Sequence, residues 1–187
     1  MKKVFLLILF LSFSFLCFCT EEPQEKPKIL LLIAEQNINS PQRAWWASEV
    51  DLSTVESTLA KILIENGYEV LEPDEVNDVI KANRAFRVIN LSEEKSIKLA
   101  KTSGADYVIV GKAVASSGNK VLNSNMVSCF ANINAKVIRI KDNKVLGYPS
   151  SSSSSAHLDP ITGGREALEK AGQDLAIKVV DILNKNK

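Results

Sequence analysis

Residues 29–33, Ile-Leu-Leu-Leu-Ile, are apolar without a break, the pattern of a strand covered on both faces. The chain then turns at once to Ala34-Glu35-Gln36-Asn37, and a loop is expected from Glu35 to about Val50, carrying the adjacent Trp45 and Trp46. A helical period follows, with Val55, Leu59, Ile62 and Leu63 as its apolar stripe. Ser53 and Glu56 form a Ser-x-x-Glu capping box at its start, and Gly67 supplies the left-handed residue beyond its last turn. Residues 68–72 predict a short strand. Pro73 and Asp74 open a second helix to about Asn83, and Ser92 caps a third that ends at Gly104.

From there the two-residue period dominates. Residues 105–116 read as a strand whose 107–110 portion is central. Residues 125–140 place Val127, Cys129, Ala131, Ile133, Ala135 and Val137 on one face. Lys-Asp-Asn-Lys turns the chain, and residues 145–149 return as a hairpin partner. The serine run 150–155 reads as an extended, solvated edge or loop, with His157 exposed. Gly163 and Gly164 then let the chain turn into a closing helix from about Arg165 to Leu183. Its buried face is Ala167, Leu168, Ala171, Leu175, Ala176, Val179 and Ile182. The order β-α-β-α-α-β-β-β-α predicts a single α/β domain over residues 28–187, with a mixed β-sheet and helices packed on it.

The amino terminus follows a different chemistry. Met1-Lys2-Lys3 precedes an apolar run of roughly fifteen residues, shorter than the ~20 that cross a bilayer. Residues 1–19 therefore read as a secretory signal peptide. Closing it on a cysteine, with the charged, proline-bearing spacer 20–27 behind, resembles a bacterial lipoprotein. That resemblance implies lipidation at Cys19, with Leu16 three positions before it. Phe18 departs from the small residue usual just ahead of the cysteine. Thr20 in place of an aspartate after Cys19 implies transport to the outer membrane.

Charge and cysteine content narrow the function. The formal net charge is +1, from 23 basic and 22 acidic residues in 187. Loss of Lys2 and Lys3 with the signal leaves 21 basic against 22 acidic residues. No run of like charge is long enough for a nucleic-acid footprint, so nucleic-acid binding is not expected. Of three cysteines, only Cys129 would remain as a thiol in the mature, lipidated chain. The domain must then hold its shape without an internal disulfide.

Four stretches carry a wider likeness: LLIAEQNI followed by the tryptophan pair, VESTLAKILIENGYEVLEPDEV, GADYVIVGKA and GREALEKAGQDLA. Together they resemble the middle domain of the flagellar assembly protein T family (FlgT), from about Lys28 to the carboxyl terminus. That domain is related in fold to the TolB amino-terminal domain and the periplasmic domain of the curli-secretion channel CsgG. The resemblance implies a periplasmic, non-enzymatic docking or assembly module in a flagellar or secretion complex, with envelope proteins as partners and homo-oligomers possible. FlgT carries flanking domains on both sides, which this chain is expected to lack.

The residues themselves offer little catalytic chemistry. His157 is the single histidine, and the serine run beside it has no Gly-x-Ser-x-Gly elbow to strain one nucleophile. No metal site is expected from one histidine and one remaining thiol, and no cofactor motif appears. Cys129 reads as a buried small hydrophobe. Gly163-Gly164-Arg165 ahead of a helix is a weak anion cradle without a phosphate-loop motif. Glu35, at the end of the first strand, can pair with Glu49 or Asp51 for acid–base work. Alternatively Glu35, Gln36 and Asn37 fix the loop through backbone hydrogen bonds while an indole folds over the sheet edge. A binding lip is the third account, with Trp45, Trp46, Gln42 and Arg43 as partner contacts. A small-ligand pocket beside Glu35 and the indoles is the alternative to docking.

Overall fold

The structure, a computed structural model, describes residues 25–48 and 51–186. The expected signal peptide, Cys19 and most of the spacer lie outside these residues, as does Glu49.

The elements run β1 (Lys28–Gln36), α1 (Trp45–Ser48), α2 (Thr54–Glu65), β2 (Glu69–Val70), α3 (Pro73–Ala82), a 3-10 turn (Arg84–Phe86), α4 (Glu93–Thr102), β3 (Tyr107–Lys120), β4 (Val127–Arg139), β5 (Lys144–Gly147), β6 (Ser150–His157) and α5 (Pro160–Asn184). They build one six-stranded mixed sheet in the order β2-β1-β3-β4-β5, with β6 also on β4. β1 is parallel to β2 and β3, and β4 is antiparallel to β3, β5 and β6. β5 and β6 share the outer side of β4, β5 along residues 137–139 and β6 along residues 127–134.

The predicted helix ends have the expected caps. Ser53 Oγ accepts from Glu56 N–H, while Glu56 Oε2 accepts from Ser53 N–H at 3.0 Å. Gly67 and Gly104 sit at φ +86° and +73°, conformations that favour glycine. The unbroken apolar run of β1 does face two layers. Ile29, Leu31 and Ile33 pack under α2 and α5, and Leu30, Leu32 and Ala34 pack under α1, α3 and α4.

Three readings change. Within the expected 35–50 loop, residues 45–48 form the short helix α1. Of the two readings of the serine run, extended edge or loop, the structure takes the edge, and it adds a strand to the expected order, registered on β4 from Asn134↔Ser150 to Val127↔His157. The closing helix starts at Pro160, not Arg165, with Asp159 as its N-cap. Gly163 and Gly164 therefore lie inside its first turns, and they are close-approach residues rather than a bend. A Cβ on Gly163 would sit 2.6 Å from Cys129 Sγ, and one on Gly164 would collide with Asn37 Oδ1. Their lack of a side chain lets α5 settle onto the sheet.

Candidate functional site

The sequence-predicted site residues converge at the carboxyl end of β1. Glu35 is held by a two-way backbone bridge to Arg43: Glu35 N–H donates to Arg43 O at 2.9 Å, and Arg43 N–H to Glu35 O at 2.7 Å. Its carboxylate Oε2 accepts from Val55 N–H in the first turn of α2 at 2.8 Å. Gln36 Nε2 donates to Ser40 O at 3.3 Å. Asn37 Oδ1 accepts from Ile38 N–H, and its Nδ2 donates to Ile161 O at 3.0 Å, tying the loop to α5. Each polar side chain of the tetrad thus bonds backbone groups of the loop or of a helix start, and Glu35 takes one of the N–H groups that the start of α2 leaves open.

A carboxylate that the sequence placed only in a capping box also joins this cluster, Glu56; of the two expected ones, Asp51 lines the same cleft as Glu35 and Glu49 lies outside the described residues. Glu56 is fully buried. Its Oε1 accepts from Ile33 N–H at 2.8 Å while Oε2 completes the capping box. Burial pushes its pKa up from 4.5 to about 7; the N–H donors from Ile33 and Ser53 oppose the rise, and the charge of Glu35 adds to it. The capping box was legible in the sequence, but the link to Ile33, 23 residues away, was not.

The indoles are not where a binding lip needs them. Trp45 is 2% exposed and Trp46 3%. Trp45 Nε1 donates to Leu31 O at 3.0 Å and Trp46 Nε1 to Val88 O at 2.8 Å, and the rings meet edge to face at 5.9 Å. With their polar handles satisfied inside, they are core residues of the α1-α3-α4 layer. Of the four predicted partner contacts, only Arg43 is exposed; Gln42 is half-buried. Beside them opens a cleft of about 620 Å³, lined by Glu35, Asn37, Arg43, Trp45, Asp51 and Thr54 among others.

The other chemical candidates are absorbed by the fold. Ser151 Oγ donates to Ala171 O and Ser155 Oγ to Gly163 O, the latter at 2.6 Å. His157 Nδ1 accepts from Asp159 N–H at 3.0 Å, at the entry to α5. Cys129 is buried, and that burial raises its thiol pKa. Among the described residues, no group of three or more His, Cys, Asp or Glu side chains is placed to hold a metal ion. No described helix is long and apolar enough to cross a membrane.

A larger feature lies at the opposite side of the sheet. Helices cover only half of the face that holds the indoles. On β4 the change falls between buried Ile138 and exposed Asn134, Asn132 and Phe130; on β3 it falls between buried Val108 and exposed Lys112 and Ser116. Lys136 marks the border, paired to Glu93 at the start of α4 and 5.2 Å from the Tyr148 ring centroid. Beyond it, Asn132, Ser152, Phe130 and Ser154 stand side by side in register. No described helix lies over them.

No family model matches the chain, and no curated protein matches it. Several solved structures align with part or most of it. The protein CT253 from Chlamydia trachomatis aligns with TM-score 0.48 and 13% identity, over 85% of this chain and 96% of that one. Lipoprotein GNA1162 from Neisseria meningitidis gives 0.46 and 17%, over 85% and 96%. The LpoB C-terminal domain from Salmonella enterica gives 0.40 and 16%, over 73% and 87%.

Proposed function

We propose that the chain is a non-enzymatic, lipid-anchored envelope protein that docks onto other envelope proteins through the bare half of its sheet. The uncovered face of β3, β4 and β6 carries this reading. The hairpin is long, with strands of 14 and 13 residues; its helix-side face is filled with Ala113, Ala115, Cys129, Ala131 and Ile133, and its outer face presents an exposed polar row around Phe130. A sheet built this far beyond its second helical layer offers a preformed platform for a partner. The hydrogen bonds that tie Glu35, Asn37, Ser151 and Ser155 to backbone groups support the non-catalytic part, because each side chain has a structural role. Lipidation at Cys19 supplies the tether to the periplasmic face of the outer membrane, and a flagellar or secretion complex is the setting that the family resemblance suggests.

Chemical crosslinking followed by pull-down from native membranes tests the reading. Recovery in a reproducible larger envelope complex is the expected result, and a protein recovered alone counts against docking.

The cleft beside Glu35 favours one alternative, a periplasmic binder of a small polar ligand. A thermal-shift screen separates the two: docking predicts no stabilising small molecule, whereas a specific ligand raises Tm by linkage.

A further inference from the structure

Sheet edges are normally blunted, because a row of open N–H and C=O groups recruits another strand. This protein treats its edges unequally. β2 is two residues long. β5 is four residues long and begins with Lys144, and Pro149 follows it. β6 runs eight residues, Ser-Ser-Ser-Ser-Ser-Ser-Ala-His, with no proline, lysine or carboxylate. Its register on β4 is continuous, and no described strand pairs with its outer side.

The direction of its backbone groups follows from the ladder. Ala135 N–H donates to Pro149 O at 3.0 Å. Counting by twos along an antiparallel pair, Ser151, Ser153, Ser155 and His157 turn their backbone groups to β4, and Ser150, Ser152, Ser154 and Ala156 turn theirs outward. Lys178 Nζ, which donates to Ser150 O at 2.8 Å, marks that outward side.

The two sets of serines also differ in what explains them. Ser151 and Ser155 are bonded to carbonyls of α5, and their small size lets the helix sit close. Ser150, Ser152 and Ser154 face the bare side and are exposed. Serine is a poor strand former, so neither packing nor propensity accounts for this second set.

We propose that β6 pairs antiparallel, across a two-fold axis, with β6 of a second copy of this chain, so that one sheet runs through both molecules. The segment is self-complementary. With the axis at Ser153, Ser152 of each copy stands opposite Ser154 of the other, and Ser150 opposite Ala156. No like charges meet along the strand. At the ends of the strand, Lys178 is ion-paired to Asp174 within its own copy, and Asp159 accepts from Thr162 and Ile161 as the cap of α5. Pairing yields roughly six to eight inter-chain hydrogen bonds, within the range of a typical interface. It also continues the bare face across the junction. The inference goes beyond the docking function and can fail separately: a dimer without envelope partners removes docking alone, and a monomer within an envelope complex removes pairing alone.

Sedimentation equilibrium of the full chain in density-matched detergent tests it. The wild type is expected to dimerise, and S152K/S154K to raise the dimer dissociation constant at least tenfold, because each lysine then faces another. Both side chains lie on the exposed face, so an unchanged thermal melt is expected for the variant. Should it fail to fold, mixing S152C chains with S154C chains under mild oxidation decides the matter: an inter-chain disulfide absent from wild type is expected. A monomeric wild type overturns the proposal. So does a dimer that survives S152K/S154K, the absence of a 152–154 crosslink, or capture of either cysteine by a strand of another protein.

Discussion

The two ends of the sheet are built to opposite rules. At β1, residues 29–34 are buried on both faces, and even the carboxylates that reach the end of the strand are spent on backbone N–H groups. At β4 and β6, one face is packed tightly under α5 by Gly163, Ala167 and Ala171, and the other is left to solvent. Polar residues thus have two meanings in one molecule. Glu35, Glu56 and Asn37 are polar because the fold needs acceptors and donors there. Asn132, Asn134 and Ser152 are polar because nothing in the described structure covers them. Only the second kind is left without a structural role.

Mutation should expose this contrast. The largest effect is expected for Trp45→Ala, which removes a fully buried indole and its bond to Leu31 O; truncations of this kind lower stability by about 3–5 kcal/mol. Urea unfolding measures it. An indole that served a partner instead would leave the midpoint almost unmoved.

Glu56 predicts the next effect, through pH. Its folded pKa, about 7, lies above the ordinary 4.5, so the folded state holds a proton that the unfolded state releases. Its contribution is complete below pH 4.5, declines as pH rises, and is gone once pH passes about 7, a total of about 3 kcal/mol. Glu56→Gln should flatten that part of the stability–pH curve. An equal slope in the variant would assign the dependence to other groups.

Gly164→Val forces a side chain into Asn37 and Ile38, and α5 must lift; overpacking of this kind lowers stability by about 1–3 kcal/mol. Its thermal melt should fall while Gly118→Ala, beside only the Phe130 ring at the open end, falls less. Smallest of all is Asn132→Ala on the bare face, expected within about 0.5 kcal/mol. A large loss there would mean that the face is structural after all.

Local signals were read well from sequence. The Ser53/Glu56 box, Pro73, Ser92 and the alternation of β4 each act within a few residues, and each appears where the pattern puts it. Misreadings came where the deciding partner is distant. A homopolymeric serine run has no apolar period to decide between an edge and a loop, and its strand exists because β4 offers an edge and α5 accepts two hydroxyls. Gly163-Gly164 resembled a bend, although Asp159-Pro160 was the true start signal, because close packing on Cys129 cannot be seen from composition. The tryptophans follow a polar tetrad, a placement open both to a binding lip and to an indole folded over the sheet edge, and the structure buries both rings. Their burial depends on α3 and α4, which arrive later in the chain. Glu56 bonds Ile33 across 23 residues, and its burial against that strand, which no local pattern shows, is what raises its pKa.

The account's central claim, that the bare face works and the β1 end only holds, is tested most directly by site-specific photocrosslinking in living cells. A photoreactive residue placed at Asn132 should give discrete protein adducts, and the same residue at Ser40, on the rim of the Glu35 cleft, should give none. Adducts from Ser40 with silence at Asn132 would contradict it.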